Sequence, residues 1–348
     1  MNVGRAKQAA AAWVRSQAAR ESSFRGAYFS GSTVGMPDEA ELPASSDVDV
    51  VVVTGETEAP LKPGKFRYDG ALLEVTVLAW DDLASAETVL ADYHLAGSFR
   101  MNGIIADPDG RLGRLQEEVA RHFADEAWVL RRCAHVRQRV ETGLRGIDYG
   151  APVYDKVTQW LFPTGVTAHL PLVAALRNPT VRRRYPAARE ALHACGHAGA
   201  YAELLDQLGG AALAPARAER HLEALARTFD AAADAGRTPF FFSSDITADA
   251  QPIAIEGSRA MIRAGDHREA MFWIVATFAR CLKILGADAP ALLPAHVPAL
   301  EEAAADLGIA SDGDIARRAE ATLGYLPRLW AVCEAIVAAH PAIVRPGR

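Results

Sequence analysis

The stretch that decides the fold is Asp47-Val48-Asp49-Val50-Val51-Val52-Val53, reached through a polar loop from about residue 35 to 46 that follows Gly31-Ser32. Apart from Asp49, the run from Val48 to Val53 is apolar at both parities, which predicts a central strand covered on both faces. Asp47 and Asp49 stand two residues apart, so their side chains share one face of that strand. Two like charges at one strand end call for cations.

Upstream, the sequence predicts a surface helix over 4–20, alternating alanine with charge, and a strand over 25–30 that Gly31-Ser32 ends. Downstream, Phe66–Tyr68 and Ala71–Leu78 flank Asp69-Gly70, a dipeptide suited to the two positive-φ positions of a tight hairpin turn. A helix is expected from Asp81 to about Tyr93. A short strand Gly103–Ala106, the turn Asp107-Pro108-Asp109-Gly110 and a helix over about 111–124 complete this half. From about 126 the strand patterns stop. Long alanine- and leucine-rich helical segments follow, broken at Gly150-Ala151-Pro152, Asn178-Pro179, Gly209-Gly210 and Ala289-Pro290. The expected fold is α+β: a small mixed-sheet domain over 1–125 followed by an all-α helical bundle domain over 126–348.

Glu74 lies inside the apolar run Leu72-Leu73-Glu74-Val75-Thr76-Val77-Leu78, where a lone buried glutamate would carry a heavy desolvation penalty. One metal cluster served by Asp47, Asp49 and Glu74 explains all three acids. Magnesium favours carboxylate oxygens together with substrate phosphates, and a pair of such ions can hold the attacking and leaving oxygens of a phosphoryl displacement. Gly31-Ser32, a turn after a strand, would let backbone N–H groups and a hydroxyl approach the β- and γ-phosphates closely. Together these features point to nucleotidyl transfer.

Gly31-Ser32, fourteen intervening residues (33–46), then Asp47-Val48-Asp49 and valines resemble the polymerase-β-type nucleotidyltransferase signature, with an intervening loop slightly longer than is usual there. Leu73-Glu74-Val75-Thr76-Val77-Leu78-Ala79-Trp80-Asp81-Asp82 is similar to the third-carboxylate segment of the streptomycin-type aminoglycoside adenylyltransferases. Residues 103–115 resemble the last strand and helix of small nucleotidyltransferase domains. The resemblance covers roughly residues 20–125. It implies that Asp47 and Asp49 bind two Mg2+ ions, that Glu74 binds one of them and acts as general base, and that Gly31 and Ser32 hold the nucleotide, ATP or another nucleoside triphosphate. The function it implies is transfer of AMP to a hydroxyl of a small, polar, aminoglycoside-like acceptor. The alternatives are a toxin-type enzyme acting on tRNA or protein, and a catalytically silent nucleotide-binding regulator.

The helical half contributes one irregular region, Thr238–Pro252, with Phe240-Phe241-Phe242 and Ser243-Ser244-Asp245. Asp245 is the expected partner of a cationic amine on the acceptor, the phenylalanines covering its apolar face; the competing reading packs the rings in the bundle and makes Asp245 a helix cap. Arg131, Arg132, Arg137, Arg139 and Arg145, and the knot Arg182-Arg183-Arg184, are expected on solvated faces, with phosphate or RNA contact as the alternative. His193 and His197 flank Cys195 without a clear fourth zinc ligand and are expected on a helix surface. Met271–Val275 with Phe278 reads as bundle core.

Across 348 residues, 37 Lys and Arg against 43 Asp and Glu give a net charge of −6, which argues against a polyanionic partner and suits a cationic acceptor. Lysine is confined to Lys7, Lys62, Lys65, Lys156 and Lys283. The four cysteines are far apart and form no C-x-x-C pair, as in reduced core thiols. The sequence shows no compact apolar leader with a cleavage site and no apolar run of ~18 residues, so a cytoplasmic location without membrane contact is expected. Phosphate-loop, Rossmann and kinase motifs do not occur in it.

Overall fold

A computed structural model describes residues 1–43 and 45–345 of the chain. It divides into two compact units, and the division falls inside one long helix: Met1–Arg132 with Leu176–Pro179 and a C-terminal stretch from Ala342, and Cys133–Ala175 with Thr180–Pro341. The architecture is α+β, a mixed sheet with flanking helices in the first unit and helices in the second.

The first unit begins with α1 (Val3–Ser16), whose start is capped by the Asn2 side chain accepting from the Arg5 N–H. Five strands follow: β1 (Phe24–Ser30), β2 (Val48–Thr54), β3 (Gly64–Tyr68), β4 (Ala71–Ala79) and β5 (Ile104–Ala106). They form one sheet in the order β3-β4-β2-β1-β5, in which β2 and β4 run parallel and the other neighbours antiparallel. The two-residue period of the strands sorts side chains between two cores. Val48, Val50, Val52, Leu73 and Val75 pack with Ala6, Ala9, Ala10 and Val14 of α1 on one face. Tyr28, Val51 and Val53 pack on the other face with Leu83, Val89, Leu90, Phe99, Leu112, Leu115 and Val119. By parity, Asp49, Glu74 and Lys65 belong to this second face, beyond the end of its apolar part.

Asp69 and Gly70 take φ of 47° and 78°, as a tight hairpin with positive φ at both central residues requires. That turn fixes the β3–β4 register, which runs from Tyr68 opposite Ala71 back to Lys65 opposite Glu74.

The single helix expected from Asp81 to Tyr93 is not formed. Its acids sit in a 3-10 turn, Trp80–Leu83, where Asp82 accepts the Ala79 N–H at 3.1 Å. Extended Ser85 then starts α2 (Ala86–Ala91) afresh, accepting the Thr88 N–H through its hydroxyl. A further short helix, α3 (Ala96–Phe99), precedes β5, and α4 (Arg111–His122) follows the Asp107–Gly110 turn.

In the second unit the helix His267–Asp288 is the core element, with Met271 to Ala276 and Phe278 buried. It packs against the helices Pro215–Ala235, Val153–Val166, Gln251–Arg263 and Leu293–Asp306. It is also long and apolar enough to cross a membrane, yet 78% of its most apolar window is buried within the protein. The four expected chain breaks all fall between α-helices, the last of them at a 3-10 turn, Pro290–Leu292.

The basic clusters depart from expectation only in part, since Arg131, Arg139, Arg145 and Arg183 are exposed as expected. Arg132 is buried, donating to the Leu90 and Phe123 carbonyls with its guanidinium over the Phe123 ring. Arg184 is buried against Phe272, and Arg182 donates to the Ile253 carbonyl at 2.7 Å. Arginine ties peptide carbonyls of separate segments together while stacking on aromatic faces, so a run of arginines need not be a solvated surface.

Candidate metal centre

Asp47 immediately precedes β2, Asp49 is on it, and Glu74 is on β4. The parallel β2–β4 register places Asp49 opposite Glu74, so the two carboxylates are neighbours across adjacent strands. Carboxylate oxygens of Asp47, Asp49 and Glu74 all come within 4.8 Å of one another, which brings the three acids of the sequence reading together.

The Gly31-Ser32 turn lies over the same point. Ser30, the last residue of β1, is the register partner of Asp49. Gly31 follows with φ 67° and opens a 3-10 turn, Gly31–Gly35, in which Ser32 is exposed. A Cβ built on Gly31 would overlap Asp49 Oδ2, so only glycine lets the backbone pass so close to the carboxylate.

Two lysines complete the cluster. Lys62 Nζ donates to Glu74 Oε1 at 2.8 Å; Lys65 Nζ donates to Glu74 Oε2 and lies 3.2 Å from Asp47 Oδ2. The Lys65 side chain is 8% exposed and those of Asp47 and Glu74 are 18% and 19% exposed. Asp49 has no ammonium or guanidinium within the 4.0 Å of an ion pair among the described residues.

The electrostatics follow from that asymmetry. Burial alone would push the Glu74 carboxyl up, but the Lys65 and Lys62 ammoniums outweigh it and hold it down at about 2. Burial pushes the Asp47 carboxyl above its ordinary value; Lys65 opposes the rise and Glu74 adds to it. Asp49 is pushed well above the ordinary range by burial, then by Asp47 and Glu74, with the lysines only partly offsetting this. A hard divalent cation fits this donor set: all ligands are oxygens, and the acid that lacks a cation is the one whose charge costs most.

Sequence reading missed Lys62 and Lys65. Counting back from the Asp69-Gly70 turn puts Lys65 opposite Glu74, so the hairpin itself carried the signal.

Asp245 lies in the other unit, in a 3-10 turn Ser243–Asp245. Its Oδ2 accepts from Arg280 at 2.8 Å, both side chains nearly buried, and the Arg280 guanidinium rests against Phe162, Phe242 and Trp273. Phe242 is buried and stacks on Phe240, while Phe241 is 66% exposed. His193, Cys195 and His197 do not gather as a metal site among the described residues, whose potential metal-holding group is the acidic trio.

No family model matches the chain, and no curated protein is significantly similar to it. Among solved structures, a nucleotidyltransferase-like protein from Exiguobacterium sibiricum 255-15 aligns over 84% of this chain and 91% of that one, at 13% identity and a TM-score of 0.30. A likeness so remote carries no conclusion about this chain.

Proposed function

We propose that the chain is a divalent-metal-dependent nucleotidyltransferase, moving a nucleoside monophosphate, AMP from ATP in the simplest case, to a hydroxyl of a small polar acceptor of aminoglycoside type. The observation that carries this reading is the convergence of Asp47, Asp49 and Glu74 beneath a Gly31-Ser32 turn that only glycine permits.

In this reading Asp47 and Asp49 hold the metal, magnesium or manganese by their oxygen chemistry. When bound, the metal supplies positive charge at the phosphoryl group under attack and at the departing pyrophosphate. The backbone N–H groups of the 3-10 turn and the Ser32 hydroxyl receive the β- and γ-phosphates. The acceptor oxygen forms the new bond to the α-phosphorus as the bond to pyrophosphate breaks, and the hydroxyl proton passes to Glu74. Two ammoniums keep Glu74 ionised but lower its proton affinity, so it acts as a weak base.

The acceptor role for the Thr238–Pro252 region enters as a paired site. Asp245 is already neutralised by Arg280, so an acceptor there meets the Asp245–Arg280 pair and the Phe240–Phe242 stack rather than a lone carboxylate.

The test is pyrophosphate release from each nucleoside triphosphate with Mg2+, against a panel of aminoglycosides and other polyhydroxylated amines. Release that depends on acceptor and metal, and is lost in Asp49→Asn, supports the reading. Absence of release with every pair in the panel argues for the nucleotide-binding regulator instead.

A further inference from the structure

This inference rests on reading the carboxylate cluster as a divalent-cation centre. We propose that Lys62 and Lys65 together stand in for one divalent ion, so that the centre takes a single ion, held by Asp47 and Asp49, where the family resemblance implies two.

The first ground is which oxygens are taken. Both oxygens of Glu74 carry an ammonium, Lys62 on Oε1 and Lys65 on Oε2, and Lys65 also reaches Asp47 Oδ2. Lys65 thus bridges two carboxylates as an ion would. Asp49 is left for the divalent cation, with Asp47 as its partner.

The second ground is charge. Three carboxylates with two divalent ions leave one net positive charge. Three carboxylates with two ammoniums and one divalent ion leave the same. A second divalent ion added to the lysines would concentrate three positive charges in a largely buried cluster before any nucleotide arrived, at a high electrostatic cost.

The third ground is fixity. Lys65 is held opposite Glu74 by the β3–β4 ladder, and its side chain is only 8% exposed. Moving its ammonium off the carboxylates would separate charges held together in a mostly buried site. The residue type fits as well. Lysine occupies five positions among 37 basic residues, and two of the five are here. A compact ammonium can sit between two carboxylates as a metal ion does, whereas a planar guanidinium forks across them.

The experiment is a titration of the full chain with Mn2+ alone, followed by electron paramagnetic resonance, which counts free Mn2+ and reports coupling between bound ions. The wild type is expected to bind one Mn2+ per chain with an uncoupled six-line spectrum. The double variant Lys62→Met/Lys65→Met, its fold checked by circular dichroism, is expected to bind two ions with a coupled spectrum. Two ions on the wild type overturn the inference and leave the metal centre standing. No bound ion overturns both. A folded double variant that still takes one ion also overturns the inference, and if that variant does not fold the wild-type count decides alone.

Discussion

Gly31 passes so close to Asp49 that a Cβ on it would overlap Asp49 Oδ2. Neighbouring strands impose that approach, since Ser30 at the end of β1 pairs with Asp49 on β2 and the chain must turn at once, with φ 67°. The Asp49 carboxylate and the Gly31-Ser32 turn are therefore one local structure, and a change in either disturbs both.

Gly31→Ala tests this coupling. The substitution strains the backbone and pushes the Asp49 carboxylate aside, so it is expected to lower stability by about 1–2 kcal/mol and weaken Mn2+ binding at least ~10-fold. Thermal melts and manganese titration measure the two effects. A stable variant with unchanged manganese affinity would show that the contact does not matter.

Asp49→Asn should act in the opposite direction on stability. Its carboxyl is pushed well above the ordinary value, and a group raised on folding contributes stability that is present at low pH and lost as pH climbs through the raised value. The metal-free wild type should therefore lose stability as pH rises above the usual aspartate range. Asp49→Asn should flatten that fall and gain on the order of 1 kcal/mol near neutral pH, roughly 2–4 °C in melting temperature. Melting curves over a pH series without metal decide it; a variant as pH-sensitive as the wild type contradicts the account.

Glu74→Gln removes the counter-charge of two lysines. Because the folded protein holds Glu74 down at about 2, its ionised form contributes stability above the ordinary glutamate range, lost as pH falls towards 2. The variant is expected to be about 2–3 kcal/mol less stable without metal, since Lys62 and Lys65 are left in a mostly buried site without their main partner. Nucleotide binding should survive while turnover falls ~100- to 10,000-fold. Calorimetric binding with single-turnover rates separates the two, and loss of binding with residual transfer would reverse the assigned roles.

Asp245→Ala strands Arg280 among Phe162, Phe242 and Trp273. A loss of about 2–3 kcal/mol is expected, most of it recovered in Asp245→Leu/Arg280→Met, where neither charge remains. Chemical denaturation of the wild type, Asp245→Leu, Arg280→Met and the double variant provides the cycle. No loss in either single variant would mean that the pair is solvated and contributes little.

Much of the first unit was legible because its signals are local. The apolar run Val48–Val53, the Asp69-Gly70 turn and the same-face spacing of Asp47 and Asp49 each follow from the period of a strand or the chemistry of a turn. Glu74 announced itself as a charge inside an apolar strand. The lysines did not, because a lysine in or just before an edge strand reads as a solvated residue, and only the hairpin register reveals Lys65 opposite Glu74. Ser85 was invisible within the pattern Asp81–Tyr93, where a hydroxyl that caps a helix looks the same as one on a helix surface. Arg132 and Arg184 went astray for a different reason: whether an arginine faces solvent or a carbonyl in the core is decided by tertiary packing, which spacing does not encode.

Calorimetric binding of non-hydrolysable analogues of the four nucleoside triphosphates, with magnesium and with chelator, to the wild type and to Asp49→Asn shows whether Asp49 and a divalent ion together hold a nucleotide. It requires no knowledge of the acceptor. At least one analogue is expected to bind the wild type with magnesium, and chelator or Asp49→Asn is expected to weaken that binding at least ~10-fold. Binding that is indifferent to magnesium and to Asp49, or no binding of any of the four, would contradict the proposed function.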